Sequence, residues 1–588
     1  MRSLLRLSLV LSVFGSLAGH AVSAAPSGEV SNFALFDQRG RLHELRRMEG
    51  SAVVLFFTAN GCPVARQSAS KLNTLRDLYA SRGVSVLMVN SSSGDDRASI
   101  TKEMKELKTP YLPVLKDDTQ GVARHLGATR TGEAVAISTK DWTVFYRGAI
   151  DDQMVEGAQK PDATERYLEA ALNEFLAGKS VAKAKTVARG CVITFDGGEG
   201  PDDAPVSYAK HVAPILEKNC VSCHSPGNIG SWAMSSHKKV KSMASMIEEV
   251  ILSRRMPPWD ADPAYGKFAN DTSLKVSDAQ TLLRWVKQGA PRGEGDDPLP
   301  TLKVPPAPEW PLGQPDIILR LPVVQNIPAT GILDYRHIEV RAGNPAEAWV
   351  GAVWVRPGNL KVVHHVIGRI KENGQKDHTG SNEMFVGWAP GAILGKYTAG
   401  SGKRLPPNAR FDIEMHYTTN GSPQTDQTEI GLYLLKEKPP LRYESVPVMN
   451  GSFEIRPGDA MAEVQAMYGF KKGATLHSVT PHMHLRGRTM KFETLSPDGK
   501  REVIASIPRY DFNWQLTYAL AKPRPIVPGT WAVLSGSFDN SARNPSNPDP
   551  KKTIRWGEQS FDEMFIGWYN VTWENNESAS APSRKPAE

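Results

Sequence analysis

The hydrophobic pattern changes period twice along this chain. SAVVLFFTA is a continuous apolar run of buried-strand length, and after the turn NGCPVA the stretch RQSASKLNTLRDLYASRG has helical spacing. VSVLMVNSSS reads as the next strand, and AVAIS with TVFYRGAI as a later pair. Residues 26–180 therefore predict a strand–helix–strand unit closed by a hairpin. Residues 181–205, with FDGGEGPDDAP, read as a linker. From 206 to 292 the helical period takes over: SYAKHVAPILEKN is amphipathic, and SDAQTLLRWVKQGAPRG is a helix ending at Gly289. Residues 293–312 form a Pro-rich linker. Beyond it come short alternating runs cut by Gly/Pro turns, in two series, 313–438 and 439–574, with a tail at 575–588. KVVHHVIGRI and ARFDIEMHYTTNG belong to the first series; ATLHSVTPHMHLRG and FDEMFIGWYNVTW belong to the second. Many evenly spaced strands predict two antiparallel sandwiches or jelly rolls.

Composition narrows the class. The chain has 588 residues, too many for one domain, with 40% hydrophobic and 23% charged residues, as in ordinary globular protein. The net charge of +7 is spread out, and no basic arm interleaved with aromatics exists, which argues against nucleic acid as a partner. Residues 1–24 have a basic start, an apolar core (LVLSVF) and the small-residue exit Val22-Ser23-Ala24, and read as a cleavable signal peptide. No later run approaches the ~18 apolar residues of a membrane span. The expectation is a periplasmic or secreted protein without a membrane span once the signal is removed.

Only 4 cysteines are present, so disulfides do not build the fold. The segment around Cys62 resembles the thioredoxin-like fold of the redoxin and peroxiredoxin superfamily. That resemblance puts Cys62 at a helix N-terminus, where the dipole favours a thiolate. It departs from the dithiol pattern at Ala65, where CxxC needs its second cysteine. It departs again at Gly132, where the fold usually carries a cis-proline. Cys62 and Cys191 are candidate redox thiols. The sequence leaves open whether they pair as a disulfide, act together or are structural.

Cys220-Val221-Ser222-Cys223-His224 is the CxxCH attachment signature of c-type haem. Two thioethers would form at Cys220 and Cys223, and His224 would ligate the iron. Met256 in ILSRRMPPWD resembles the methionine-ligand loop of cytochromes c, so a small all-α cytochrome c domain carrying one haem c is expected. A Met/His pair suits electron transfer.

In TPHMHLRGRTM, His482 and His484 stand two apart and share one side of an extended strand. Four further groups join them as candidate metal ligands: His364, His365, His416 and Met564. The last third of the chain resembles the copper type II, ascorbate-dependent monooxygenases, the family of peptidylglycine α-hydroxylating monooxygenase and dopamine β-hydroxylase. The resemblance covers residues 313–574, with the ligand motifs in family order. It places His364, His365 and His416 on an electron-transfer copper in the first sandwich. It places His482, His484 and Met564, as the catalytic set, on an oxygen-activating copper in the second. His364 and His365 are adjacent, so an ideal strand would send them to opposite sides. Imidazoles suit both copper oxidation states and a thioether favours Cu(I), while zinc is the competing metal. Thr480, Ile566 and Trp568 stand where peptide-amidating members have an arginine, an asparagine and a tyrosine, which argues against a C-terminal glycine substrate.

These readings converge on a multidomain protein: a thioredoxin-like α/β domain, a cytochrome c domain and two all-β copper domains. The expected function is an exported copper-dependent monooxygenase that hydroxylates a C–H bond of a small molecule or peptide with O2. Electrons would come from ascorbate or another donor, with the fused haem as a relay. The rival readings are a non-catalytic copper and haem electron-transfer protein, and a thiol peroxidase with accessory domains.

Overall fold

The computed structural model describes residues 28–155, 158–196, 205–226, 228–302, 309–371, 384–392 and 395–573. The expected signal peptide, the Gly/Asp-rich 197–204 and the tail lie outside the described residues. The N-terminal α/β unit is built on a seven-stranded sheet. Its order is Leu42–Glu44, Ala34–Asp37, Val114–Lys116, Val84–Asn90, Ala52–Thr58, Ala134–Ser138, Val144–Gly148. The central strand Ala52–Thr58 is buried throughout. Val54 and Phe56 enter the core on one face, and Val53, Leu55 and Phe57 enter that on the other. This two-sided burial explains why the strand reads as an unbroken apolar run.

The second face of this sheet is completed from far along the chain. Ile193 and Phe195 pack into it, as do Leu252 and Leu283 of the helical segment. Gly121 packs closely there, since a Cβ would lie 2.7 Å from Leu252 Cδ2 and Leu283 Cδ1 and those side chains would have to shift. The stretch read as a linker is therefore corrected over 184–196. It runs back as a strap, bridging Lys185 to Arg147 and Val192 to Arg130, and it buries two large apolar side chains. The Gly/Asp-rich composition of the residues that follow hid those contacts.

Helices Ala213–Asn219, Ala244–Leu252 and Val276–Lys287 form the next unit around Trp285, Tyr208 and Leu282. The loop after Leu252 leaves this unit and enters the core of the second β region, where Trp259 is buried. Asp260 holds Arg509 at 2.7 Å, and Arg509 also donates to the carbonyls of Ser253 and Arg254. Both ends of the ion pair are buried, so removing one partner leaves an uncompensated charge costing about 3–5 kcal/mol.

The β regions differ from two closed units. One nine-stranded sheet runs through both. Its main path is Ile317–Arg320, Glu429–Leu434, Ala348–Arg356, Ser401–Leu405, Leu441–Met449, Ile566–Trp573, Ala474–His482, Tyr518–Ile526. The two series meet where Ser401 and Gly402 pair in parallel with Leu441 and Arg442; every other pairing along the path is antiparallel. Each half also has its own four-stranded sheet. In the first half, Arg336–Arg341, Arg410–Tyr417, Val363–Ile370 and Val386–Trp388 close a core around Phe411, Ile413 and Leu432. The second half has its own core around Phe492, Leu534 and Tyr569. The edge strand Tyr518–Ile526 carries Pro523 and Pro525, tolerable because much of it faces solvent.

Candidate redox site and metal centre

Cys62 is the residue before helix Pro63–Ala80, the expected helix N-terminus. Its sulfur lies 3.0 Å from Thr131 Oγ1 and 3.4 Å from Cys191 Sγ, brought over it by the strap. Cys62 is buried while Cys191 is exposed. Burial pushes the Cys62 thiol up, but hydrogen bonds from Thr131, the Ala65 N–H and Cys191 outweigh it and hold the group below the ordinary cysteine value. The sulfur of Cys62, and then burial, push Cys191 the other way. The two thiols are thus shifted in opposite directions, Cys62 towards easier loss of its proton and Cys191 towards keeping it.

Cys220, Cys223 and His224 occupy the tight turn after Ala213–Asn219. His224 Nδ1 lies 3.0 Å from the Trp232 carbonyl, which fixes the ring and turns Nε2 away from that contact. Burial, with Cys223 beside it, pushes the Cys220 thiol up to about 12. Met256 is half-buried in the loop that leads to Trp259.

The first histidine set is built on paired strands. His365 lies opposite His416 between Val363–Ile370 and Arg410–Tyr417, and the register slips between Val363 and His365. That bulge places His364 on the same side as His365, which an ideal strand would forbid. The Nδ1 atom of His364 lies 3.2 Å from that of His365 and 3.1 Å from that of His416. One ligand atom from each residue falls within 4.8 Å of the others, and all three residues are buried. Burial, then His365 and His482, hold His364 down to about 3; His416 is held well below its usual value for the same reason. Glu414, bound to Arg369 at 2.8 Å, lies 3.8 Å from His365 Nε2.

His482 is the last residue of Ala474–His482, and His484 lies just beyond that strand rather than on it. The two rings nevertheless converge, 5.2 Å apart. Glu563 enforces this, accepting from the backbone N–H of His484 at 2.8 Å and of Arg486 at 2.6 Å. Burial raises the Glu563 carboxyl to about 8 against those bonds. Burial, then His365, hold His482 down to about 4. Met564 also precedes its expected strand, which begins at Ile566. It lies buried with Ile367, Met384 and Trp568, residues drawn from both β halves.

The two sets face each other. His365 and His482 are 6.0 Å apart by ring centroids. Tyr335 packs against His416, His365 and His484 at 4.6, 5.3 and 5.8 Å, and Phe512 stacks on His364 at 4.7 Å. Gln515 reaches both sets, with Oε1 2.6 Å from His482 Nδ1 and Nε2 3.3 Å from His365 Nδ1. Sequence reasoning missed Tyr335, Phe512 and Gln515, because GILDYRH and FNWQLTY carry no local signature and matter only through the fold. A cavity of about 350 Å³ opens beside the centre, lined by His365, Gln515, Thr480, Tyr443, Trp388 and Trp568 among others. Among the described residues no carboxylate lines it.

The AhpC/TSA family matches residues 26–149, the unit that carries Cys62. The N-terminal domain is an AhpC/TSA redoxin. No curated protein matches the chain. Among solved structures, an uncharacterized conserved protein from Geobacillus kaustophilus is 28% identical, covering 30% of this chain and 95% of its own, with a TM-score of 0.28. A hypothetical protein from Sinorhizobium meliloti 1021 is 25% identical over 30% and 98%, with the same TM-score. Peroxidoxin BcpB from Mycobacterium tuberculosis is 22% identical over 26% and 96%, with a TM-score of 0.20. The redoxin domain implies thiol-based redox activity, and the buried three-histidine cluster outside it is a possible metal site. No helix among the described residues is long and apolar enough to cross a membrane.

Proposed function

We propose that this chain is an exported copper-dependent monooxygenase that hydroxylates a C–H bond of a small molecule or peptide with O2, its two β halves serving as the copper domains. One observation carries the reading: five buried imidazoles from both β halves meet in one seam, where the Nδ1 atoms of His364, His365 and His416 converge and His484 Nε2 has no hydrogen-bond partner. An orphaned buried imidazole nitrogen costs free energy unless something fills it. Depressed proton affinity keeps His364, His416, His482 and His484 neutral, the form that binds metal.

His364, His365 and His416 would hold one copper, and His482 and His484 the other, with the Met564 thioether favouring copper over zinc. Bound copper supplies one-electron redox chemistry and reaction with dioxygen. The chain's own residues do the rest. Glu563 clamps the His484 backbone, Glu414 sits behind His365, and Phe512 and Tyr335 exclude water from the rings. Thr480 and Trp568 line the adjoining cavity, together with Lys396 and Lys403. Cys220, Cys223 and His224 would hold a haem c, with Met256 as its second ligand; haem supplies an electron store. The bond from His224 Nδ1 to the Trp232 carbonyl leaves Nε2 to serve as the ligand. Export is required for haem attachment and agrees with residues 1–24.

The test is protein matured in a periplasm, with metal and haem quantified and oxygen uptake followed. About two coppers and one haem per chain, with oxygen consumed in proportion to a hydroxylated product, bear the reading out. Copper-free protein, or uptake without product, overturns it.

The separation of Cys62 and Cys191 favours a second activity in the redoxin domain, dithiol–disulfide exchange. A partner disulfide accepts two electrons and leaves as two thiols, while Cys62 and Cys191 become one disulfide. Abolition of disulfide reduction in both Cys62→Ser and Cys191→Ser is expected; retention in either removes this activity.

A further inference from the structure

Two separate three-ligand sites, one in each β half, are what the sequence suggests. The geometry points to something else: the two histidine sets form a single dinuclear centre in which the Gln515 amide couples one metal to the other. This rests on the copper reading above, but it adds a claim that reading does not need.

The first argument is proximity. Within the first set the ring centroids lie 4.6 to 5.5 Å apart, and within the second 5.2 Å. The shortest separation between sets, 6.0 Å from His365 to His482, is nearly the same. The Tyr335 ring touches imidazoles of both sets, and the Phe512 ring lies 4.7 Å from His364 and 6.0 Å from His484. The Tyr335 hydroxyl is itself buried without a hydrogen-bond partner. Ligand nitrogens hold copper or zinc at about 2 Å, so ions on sets this close share one shell of surroundings.

The second argument is Gln515. A primary amide has one accepting and one donating end. Oε1 accepts from His482 Nδ1–H at 2.6 Å, which leaves His482 Nε2 with the lone pair a metal needs. Nε2–H donates to His365 Nδ1 at 3.3 Å, the nitrogen that converges with His364 Nδ1. A metal taken up by the first set through those Nδ1 atoms competes with Gln515 for the His365 lone pair. Displacing the amide there frees or reorients it at His482. By linkage, filling the second set must change the affinity of the first by the same factor. Gln515 is thus a positioning residue for both metals.

The experiment uses full-length holoprotein loaded with Cu(II). Copper is counted by mass spectrometry, and spins by double integration of the copper resonance, which is distinct from that of ferric haem. The expected result is two coppers per chain with a spin count clearly below two, or a dipolar-broadened spectrum with a half-field signal. His484→Ala, which leaves the first set complete, is expected to return one copper with a full, unbroadened spin. Titration of Gln515→Leu with Cu(I) is expected to shift the affinity for one copper by roughly 10-fold or more and to abolish its dependence on the other. Two coppers with two isolated spins, or a single copper per chain, overturn the dinuclear centre and leave a copper protein. Unchanged coupled binding in Gln515→Leu overturns the role of the amide. Protein that takes up no copper brings down the oxygenase reading as well, and the metal count alone distinguishes that failure.

Discussion

Cys62 and the five imidazoles are protected in opposite ways. The thiol sits under a strap that returns from residue 191, with an exposed sulfur 3.4 Å away as its contact with solvent. The imidazoles lie between two β halves, walled by Phe512, Tyr335 and the residues around Met564. Burial acts on both, but hydrogen bonds win at Cys62 and lower its proton affinity, whereas at the histidines burial and mutual repulsion act together. A nucleophile needs access and a stabilised charge; a ligand set needs neutral rings and dryness. The same low dielectric therefore serves two chemistries, according to whether donors are supplied.

The largest expected effect separates the two regions. His416→Ala should weaken copper binding by more than about 100-fold, read as copper content after dialysis, while disulfide reduction by the redoxin domain stays unchanged. If copper is retained, the histidine seam is not a ligand set. Next comes acid sensitivity of the metal-free protein. His364 and His482 are neutral when folded, with values of about 3 and 4, and take up protons near pH 6.5 once unfolded. Their contribution is thus fully present above about pH 6.5 and is lost as pH falls through 4. Each imidazole removes up to about 1.4 kcal/mol per pH unit in that window. Urea midpoints at pH 7 and 5 should record the drop, and metal-loaded protein should resist it until its ligands are displaced.

The thiol side predicts smaller changes. Mild oxidation should remove two titratable thiols from the wild type and join the Cys62 and Cys191 peptides by mass. Cys191→Ser should show no such link. Smallest is Thr131→Val. Loss of one hydrogen bond to the thiolate, about 0.5–1.5 kcal/mol, should slow alkylation of Cys62 at neutral pH by roughly 2- to 10-fold. An unchanged rate would mean that the helix terminus alone activates the sulfur.

Local pattern carried the elements well. KVVHHVIGRI became Val363–Ile370 and TVFYRGAI became Val144–Gly148, because a half-buried strand writes its period into the chain. What local pattern could not carry is anything set by a partner strand. The bulge at His364 depends on the register against Arg410–Tyr417, and the side taken by His484 depends on Glu563, almost 80 positions away. Ser401–Leu405 and Leu441–Met449 were missed because their alternation is weak, yet they join the β halves. The strap was misread for a related reason: the Gly/Asp-rich residues that follow it set the character of the stretch, while Ile193 and Phe195 find their partners far along the chain.

The parallel rungs between Ser401–Gly402 and Leu441–Arg442 have a mechanical consequence. Halves stitched edge to edge cannot swing apart like jaws without tearing main-chain bonds. Anything reaching His365 and Gln515 must therefore come through the adjoining cavity, and access would be set by the side chains and loops that line it instead of by rigid-body rocking.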